Sequence, residues 1–137
     1  MKIEINNRAN YKIDLRMVKR AVNEFARVRK VKYKEISIVF VSDAEIKKLN
    51  RTYRKKNEPT DILSFSGEGY FLGELVIDFK QIQRQAPRFN NSEAKELIFI
   101  LVHGLLHLLG HNDETKTDRE RMIKLGEKII KDLKLSI

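Results

Sequence analysis

The sequence predicts an α+β domain in which helices cover a four-stranded mixed sheet, with one helix buried at the centre. Segments with strand-like alternation and segments with helical periodicity follow one another in the order βαβαββ, and two or three helices come after them. One of those later segments, residues 97–109, is apolar on almost all sides, as expected of a buried helix. No repeat, linker or low-complexity tract interrupts the 137 residues, so we expect a single domain over residues 1–137.

The N-terminal part of the chain predicts two strands separated by a helix. Residues 2–6 alternate polar and apolar side chains, which indicates a half-buried strand. Asp14 can cap a helix that runs to about Arg27, because its carboxylate can accept hydrogen bonds from the first free amides of the helix. Residues 35–41 are mainly apolar and β-branched, and they predict a central strand.

A second helix and a hairpin are predicted next. Ser42 and Glu45 have the spacing of a capping box, so a helix should begin there. Three of its side chains are expected to point inward: Ile46, Leu49 and Tyr53. Two strand-like segments, residues 61–65 and 73–79, should then pair across a loop at residues 66–69 that contains glycine.

The remaining chain predicts helices. A short helical turn is expected within residues 82–88. Asn90 followed by Glu93 resembles a capping box, so we place the buried helix at residues 91–109. Thr117 and Glu120 form a similar pair before a last helix that ends near Leu135. Five apolar residues of this last helix are expected to face the core: Met122, Ile123, Leu125, Ile129 and Leu133.

The buried helix carries two histidines, His103 and His107, which lie on the same helical face because they are four residues apart. Gly110 fits the left-handed residue that ends a helix, and Asp113 follows shortly after it. Two histidines on a helix and a third ligand after a sharp turn are typical of a site for one zinc ion. The spacing HxxxHxxGxxD is that of the metzincin motif, with Asp113 in place of the third histidine, so the expected architecture is zincin-like.

Alternatives to this metal site remain open in the sequence. His111 is a rival third ligand, although a residue directly after the glycine has little freedom to turn back. Both helical histidines could instead be neutral core residues that hydrogen-bond to carbonyl groups. Gly104 replaces the glutamate that acts as general base in metalloproteases, which disfavours peptide hydrolysis, and the space that it leaves could admit a bulky substrate.

Composition restricts the possible functions. Twenty-eight Lys and Arg against nineteen Asp and Glu give a net charge of +9, which favours a polyanionic partner such as nucleic acid. The absence of cysteine excludes disulfides and thiolate zinc sites. The polar N-terminus has no signal-peptide pattern, and the apolar run of thirteen residues, broken by two histidines, is too short for a membrane span. We therefore expect a cytoplasmic protein without a membrane partner.

Two motifs in the chain resemble those of the YbeY endoribonucleases, which take part in ribosomal RNA maturation. One is HGLLHLLGHND at residues 103–113, and the other is LNRTYRKKNEPTDILSF at residues 49–65, followed by LGEL at residues 72–75. The sequence departs from the family pattern at Asp113, where a third histidine is usual, and at His111, where tyrosine is usual. An aspartate oxygen binds zinc at nearly the distance of a histidine nitrogen, so a site can persist with one less positive charge.

The resemblance implies a zinc-dependent endoribonuclease that cuts single-stranded RNA near the 3′ end of 16S ribosomal RNA and acts with the ribosome or its small subunit. It also implies that Arg54 is the functional arginine, which could bind a phosphate and stabilise charge in the transition state. Asp61 could orient a metal-bound histidine, but a structural role at a turn is favoured. The alternatives are an RNA-binding ribosome-assembly factor with a structural metal and, less favoured, a zincin-type peptidase.

Overall fold

A computed structural model describes residues 1–135 of the protein. The chain forms, in order, β1 (Lys2–Asn7), α1 (Leu15–Val28), β2 (Glu35–Phe40), α2 (Asp43–Arg54), β3 (Ile62–Ser66), β4 (Phe71–Ile77), α3 (Phe79–Gln85), a 3-10 turn (Ala86–Phe89), α4 (Glu93–Leu108) and α5 (Lys116–Leu133). This order confirms the predicted α+β fold class. Within residues 1–135, no helix combines the length and the apolar composition that crossing a bilayer would require.

The four strands form one mixed sheet in the order β1-β2-β4-β3. β1 and β4 run parallel to β2 on its two sides, and β3 pairs with β4 in the antiparallel direction. The predicted hairpin is therefore confirmed, with Ile62 opposite Ile77 and Ser66 opposite Gly73. Its position at one end of the sheet makes β3 an edge strand, and β3 also contacts α4.

The sheet is covered on both faces. On one face, α1, α3, α4 and α5 pack with the sheet in a large core, and α4 has buried side chains on most of its sides. The fully buried members of α4 include Leu97, Ile98, Leu101, Val102, Leu105 and Leu106. On the other face, Ile46 of α2 packs with Val39, Val41, Leu63 and Val76 in a smaller cluster. The predicted buried central helix is α4, and its burial fixes the residues that it carries relative to the sheet.

Two helices begin at residues other than those predicted. The hydroxyl of Ser92, not the side chain of Asn90, caps α4 by accepting a hydrogen bond from the backbone N–H of Lys95 at 3.1 Å. Asn90 instead adopts a left-handed conformation with φ of 55°, which ends the 3-10 turn. In α5 the cap is Thr115 rather than Thr117. In both places a second capping residue lies two positions away, so the sequence pattern alone does not separate the two starts.

The boundary between β4 and α3 also differs from the prediction. β4 spans Phe71–Ile77 rather than residues 73–79, because Asp78 leaves the sheet and caps α3. Its Oδ1 accepts a hydrogen bond from the backbone N–H of Lys80 at 3.0 Å. The helical turn expected within residues 82–88 is therefore the end of a longer helical stretch formed by α3 and the 3-10 turn.

Two side chains that were predicted to face the core are exposed. Tyr53 is 64% exposed and Ile123 is 41% exposed, whereas Met122, Ile129 and Leu133 are buried as expected. Leu49 and Leu125 are partly buried against the core. α5 ends at Leu133, two residues before the predicted end. The exposed side chains of Tyr53 and Ile123 both line one cleft.

Candidate metal centre

The two histidines of α4 lie side by side. His103 and His107 are one helical turn apart, and their Nε2 atoms are 3.2 Å from each other. The rings meet at an interplanar angle of 75° with their centroids 4.8 Å apart. Both side chains are mostly buried, with exposed fractions of 22% and 29%. Their ring nitrogens therefore converge on one point at the surface of the core.

A tight turn after α4 brings a carboxylate to the same point. Gly110 adopts a left-handed φ of 96°, and its N–H donates to the carbonyl of His107 at 3.0 Å. The N–H of His111 donates to the carbonyl of Leu106 at 3.0 Å, which completes a Schellman motif. The chain then reverses, and Oδ2 of Asp113 lies 3.4 Å from Nε2 of His103 and 3.3 Å from Nε2 of His107. The predicted role of Gly110 as the helix end is confirmed.

The three donor atoms fit a small tetrahedral cation. Their mutual distances of 3.2, 3.4 and 3.3 Å make a nearly equilateral triangle. A tetrahedral zinc ion with bonds of about 2.0–2.2 Å separates its ligand atoms by about 3.3–3.6 Å. Two imidazole nitrogens and one carboxylate oxygen are also a usual ligand set for zinc. His103, His107 and Asp113 could therefore hold a metal ion.

His111 lies elsewhere. This residue lines a smaller depression together with Asp118, Arg121 and Met122, and it does not line the cleft of the donor triangle. The group of potential ligands found in residues 1–135 contains Asp113 and not His111. The turn explains this separation, because the N–H of His111 is held by the carbonyl of Leu106, whereas Asp113 lies two residues further along the reversing chain.

The environment keeps the His103 imidazole neutral. Burial lowers the pKa of His103, and the neighbouring His107 lowers this pKa further. The carboxylates of Asp113 and Asp61 act in the opposite direction but do not outweigh those effects. A neutral imidazole keeps the lone pair that a metal ion needs, so the site is suited to a cation near neutral pH.

The donor triangle lies in a cleft of about 820 Å³. Arg54, at the C-terminal end of α2, lines the same cleft, so the structure brings the arginine singled out in the sequence together with the three candidate ligands. Several aromatic side chains also line the cleft: Tyr53, Phe65, Phe89 and Phe99. A charged group, a potential metal site and exposed rings in one concave surface are features of a binding or active site.

Comparison with known proteins identifies the family of this chain. The family model described as Endoribonuclease YbeY matches residues 3–134. The chain belongs to the YbeY family. A relative from Syntrophus aciditrophicus named Endoribonuclease YbeY is 41% identical over 84% of this chain and 77% of its own. Another of that name, from Phytoplasma australiense, is 38% identical over 98% of this chain and 97% of its own.

A solved structure supports the same fold. The solution structure of TM1509 from Thermotoga maritima matches with a TM-score of 0.67, over 96% of this chain and 88% of that one. The two sequences are 24% identical, so this likeness concerns the architecture alone. It agrees with the predicted four-stranded mixed sheet and its helices.

Gly104 of this YbeY family member does not open space in the cleft, as the sequence had suggested. A Cβ atom on this residue would come within 2.5 Å of Cδ1 of Ile62 and 3.0 Å of Cδ2 of Leu75. The residue therefore faces the sheet, where aliphatic side chains fill the space beside it. The expectation that Gly104 makes room for a bulky substrate is wrong. The absence of a side chain at this position instead allows α4 to pack closely on β3 and β4.

A polar network in the YbeY cleft was not predicted. Glu96 is only 2% exposed, and it accepts hydrogen bonds from Asn91 at 2.9 Å and Gln85 at 3.0 Å. The same Gln85 amide nitrogen donates to Asp61 at 3.0 Å. This contact joins the residue before β3 to the end of α3, and the role of Asp61 at a turn stays a prediction. A glutamate within the apolar α4 segment was the sequence signal that could have revealed the network.

Proposed function

We propose that this chain is a zinc-dependent endoribonuclease that cleaves single-stranded RNA, formed by one domain over residues 1–137. His103, His107 and Asp113 would hold the ion, and Arg54 would bind the substrate phosphate. The observation that carries the proposal is the convergence of two imidazole nitrogens and one carboxylate oxygen, within 3.4 Å of one another, in a cleft that also contains Arg54. Membership of the Endoribonuclease YbeY family supplies the substrate class.

The donor set favours zinc over harder cations. Imidazole nitrogen is a preferred ligand of zinc, whereas magnesium and calcium prefer oxygen ligands alone. When bound in such a site, zinc supplies Lewis acidity and lowers the pKa of a coordinated water toward about 7. His103 and His107 would bind through the lone pairs of their ring nitrogens, and the Asp113 carboxylate would neutralise part of the positive charge of the ion.

Arg54 would position the phosphodiester. Its guanidinium is exposed, lines the cleft and makes no ion pair with any carboxylate of residues 1–135. A planar guanidinium can donate two parallel hydrogen bonds to phosphate oxygens and stabilise the negative charge that develops there. This arrangement would hold the phosphate close to the donor triangle while the ester bond is broken.

We further propose that the substrate is ribosomal RNA near the 3′ end of 16S ribosomal RNA, with the ribosome or its small subunit as partner in the cytoplasm. The net charge of +9 supports a long polyanionic partner, because each phosphate contact contributes favourable electrostatic free energy. The YbeY resemblance of the motifs at residues 49–65 and 103–113 supports the choice of ribosomal RNA.

Cleavage of a labelled single-stranded RNA tests the proposal. Zinc-loaded protein should cleave it, and chelation, His107→Ala or Asp113→Ala should abolish cleavage, whereas His111→Ala should leave it intact. Arg54→Ala should lower kcat/KM by roughly 100-fold, the usual effect of removing a group that stabilises transition-state charge. Arg51→Ala, one turn earlier on α2 and also exposed, is the matched control. Cleavage that survives both chelation and His107→Ala would contradict the assignment of the site.

One observation favours a second candidate, an assembly factor with a structural metal. The candidate ligands come from α4 and from the segment that leads to α5, so an ion would link the two helices. In that case chelation should lower the thermal unfolding temperature, and no cleavage should be detectable with or without zinc. The peptidase alternative has no support at Gly104, because that position faces the sheet and carries no general base.

A further inference from the structure

Exposed apolar side chains are concentrated in the cleft. Within residues 1–135, six large hydrophobic side chains are exposed: Met1, Tyr33, Tyr53, Tyr70, Phe89 and Ile123. Three of these six line the single cleft that contains the donor triangle. Tyr53 and Phe89 are the most exposed of the three, at 64% and 63%. Single exposed apolar residues are ordinary on a protein surface, but their concentration beside a candidate active site indicates a ligand with apolar faces.

Each of the two exposed rings that line the cleft is adjacent in sequence to an arginine. Tyr53 precedes Arg54 at the end of α2, and Phe89 follows Arg88 in the 3-10 turn. Both arginines are exposed, and neither forms an ion pair with a carboxylate in the described part of the chain. Tyr53 and Arg54 both line the cleft, and a ring with a free cation in one cleft matches the two parts of a nucleotide, which are the base and the phosphate.

Packing and hydrogen bonds constrain the segments that carry both rings. Tyr53 packs edge-on against Phe65 of β3, with ring centroids 5.1 Å apart and an interplanar angle of 72°. Phe89 lies between Pro87 and the left-handed residue Asn90, whose N–H donates to the carbonyl of Pro87 at 3.2 Å. Proline and hydrogen-bonded turns restrict the backbone, so little conformational entropy would be lost when a base stacks on either ring.

We propose that Tyr53 and Phe89 are stacking platforms for unpaired bases of the RNA strand that enters the cleft. The proposal rests on the proposed function for its substrate class and adds the residues that recognise the bases. Stacking accepts every base, so binding through these rings should depend little on sequence. In a duplex the faces of the bases are covered by neighbouring base pairs, so the rings would also favour single strands over duplexes.

The experiment measures binding rather than cleavage. A fluorescein-labelled, 2′-O-methylated oligoadenylate of about ten nucleotides is titrated with zinc-loaded protein, and anisotropy gives Kd. Tyr53→Ala and Phe89→Ala should each weaken binding about tenfold, within the range of about 5- to 150-fold expected for loss of one stacked base. Tyr53→Phe should bind like the unaltered chain. Tyr70→Ala is the matched control, because Tyr70 is 63% exposed and does not line the cleft.

A probe without bases separates stacking from other effects. An abasic oligomer of equal length keeps the phosphates, so the unaltered chain and both alanine variants should bind it with equal affinity. The proposal is overturned if Tyr53→Ala and Phe89→Ala bind oligoadenylate as tightly as the unaltered chain, or if they lose as much affinity for the abasic probe. Ring-dependent binding without any RNA cleavage would overturn only the nuclease proposal, whereas cleavage with ring-independent binding would overturn only the stacking proposal.

Discussion

Asp78 is a fully buried carboxylate at the junction of β4 and α3. Its Oδ1 accepts hydrogen bonds from the Tyr11 hydroxyl at 3.1 Å and from the backbone N–H of Lys80 at 3.0 Å. Burial raises the pKa of Asp78 to about 7, and the nearby carboxyl of Asp43 contributes to this increase. Burial of Tyr11 itself, together with the nearby carboxylate of Asp78, raises the pKa of Tyr11 to about 12. The buried junction therefore favours the protonated, uncharged form of Asp78.

This pKa predicts how the stability of the fold depends on pH. A folded pKa of about 7, above the ordinary aspartate value of 3.8, means that the folded state binds the proton more tightly than the unfolded state. The stabilisation that comes from this bound proton is complete below pH 3.8. It decreases by at most about 1.4 kcal/mol per pH unit as the pH rises, and it is lost as the pH rises through 7. Asp78→Asn has no proton to lose, and its Oδ1 can still cap α3. Its free energy of unfolding should therefore increase relative to that of the unaltered chain from pH 5 to about pH 7, and the difference should level off toward pH 8.

Urea unfolding at four pH values between 5 and 8 gives the difference between variant and unaltered chain at each pH. Asp14→Asn is the matched control, because Asp14 also caps a helix but is exposed. Its difference from the unaltered chain should stay constant over this range. An equally constant difference for Asp78→Asn would show that the Asp78 carboxyl is ionised throughout.

At the residue level, the sequence predicts the parts of the site that depend on local geometry. The spacing of His103 and His107 and the glycine stop at Gly110 are sufficient to predict the histidine pair and the return of the chain to Asp113. Arg54 was indicated by family resemblance and not by its local pattern. The rings of Tyr53 and Phe89 were not predicted as cleft residues, because they come from segments that only the tertiary fold brings together.

At the level of elements, periodicity predicts the order of helices and strands, but not their exact ends or the order of strands in the sheet. α4 and α5 each have two candidate caps two residues apart, and the backbone conformation of Asn90 excludes it from capping α4. The sheet order β1-β2-β4-β3 depends on pairing between distant segments. Alternating side chains show which face of a strand is buried, but they contain no information about its neighbour.

The cap of α4 can be tested directly. Ser92→Ala removes the hydroxyl that accepts from the Lys95 N–H, so the free energy of unfolding should fall by about 1 kcal/mol, within the usual range of about 0.5–2 kcal/mol. Ser92→Thr keeps a hydroxyl at the same position and should cost much less. Denaturant unfolding of the two variants provides the comparison, and equal stability of Ser92→Ala and the unaltered chain would place the cap at another residue.

At the level of the whole molecule, the candidate ligands connect two helices of the large core. His103 and His107 belong to α4, and Asp113 lies in the segment between α4 and α5. Arg119 of α5 donates to the backbone carbonyls of Asp113 and Glu114 at 3.4 and 3.3 Å, which fixes this segment against the start of α5. Because the unfolded chain does not hold these residues together, an ion bound here would stabilise the folded state.

Zinc should therefore raise the thermal unfolding temperature. At a free zinc concentration of 100 times Kd, the expected stabilisation is about 2.7 kcal/mol, which corresponds to a shift of several degrees for a chain of this length. Differential scanning calorimetry with and without zinc measures the shift. His111→Ala should keep it and Asp113→Ala should lose most of it. A full shift in Asp113→Ala would assign the third ligand to another residue.

The size of the donor triangle has a consequence for the choice of ion inside a cell. Calcium takes six to eight oxygen ligands, so it would need more donors than the triangle offers, and all of them oxygen atoms. Sides of 3.2–3.4 Å between two nitrogens and one oxygen fit a smaller ion of low coordination number. If the helix and its glycine turn hold an ion here, two nitrogen donors and a low coordination number would favour zinc over more abundant cations that prefer oxygen.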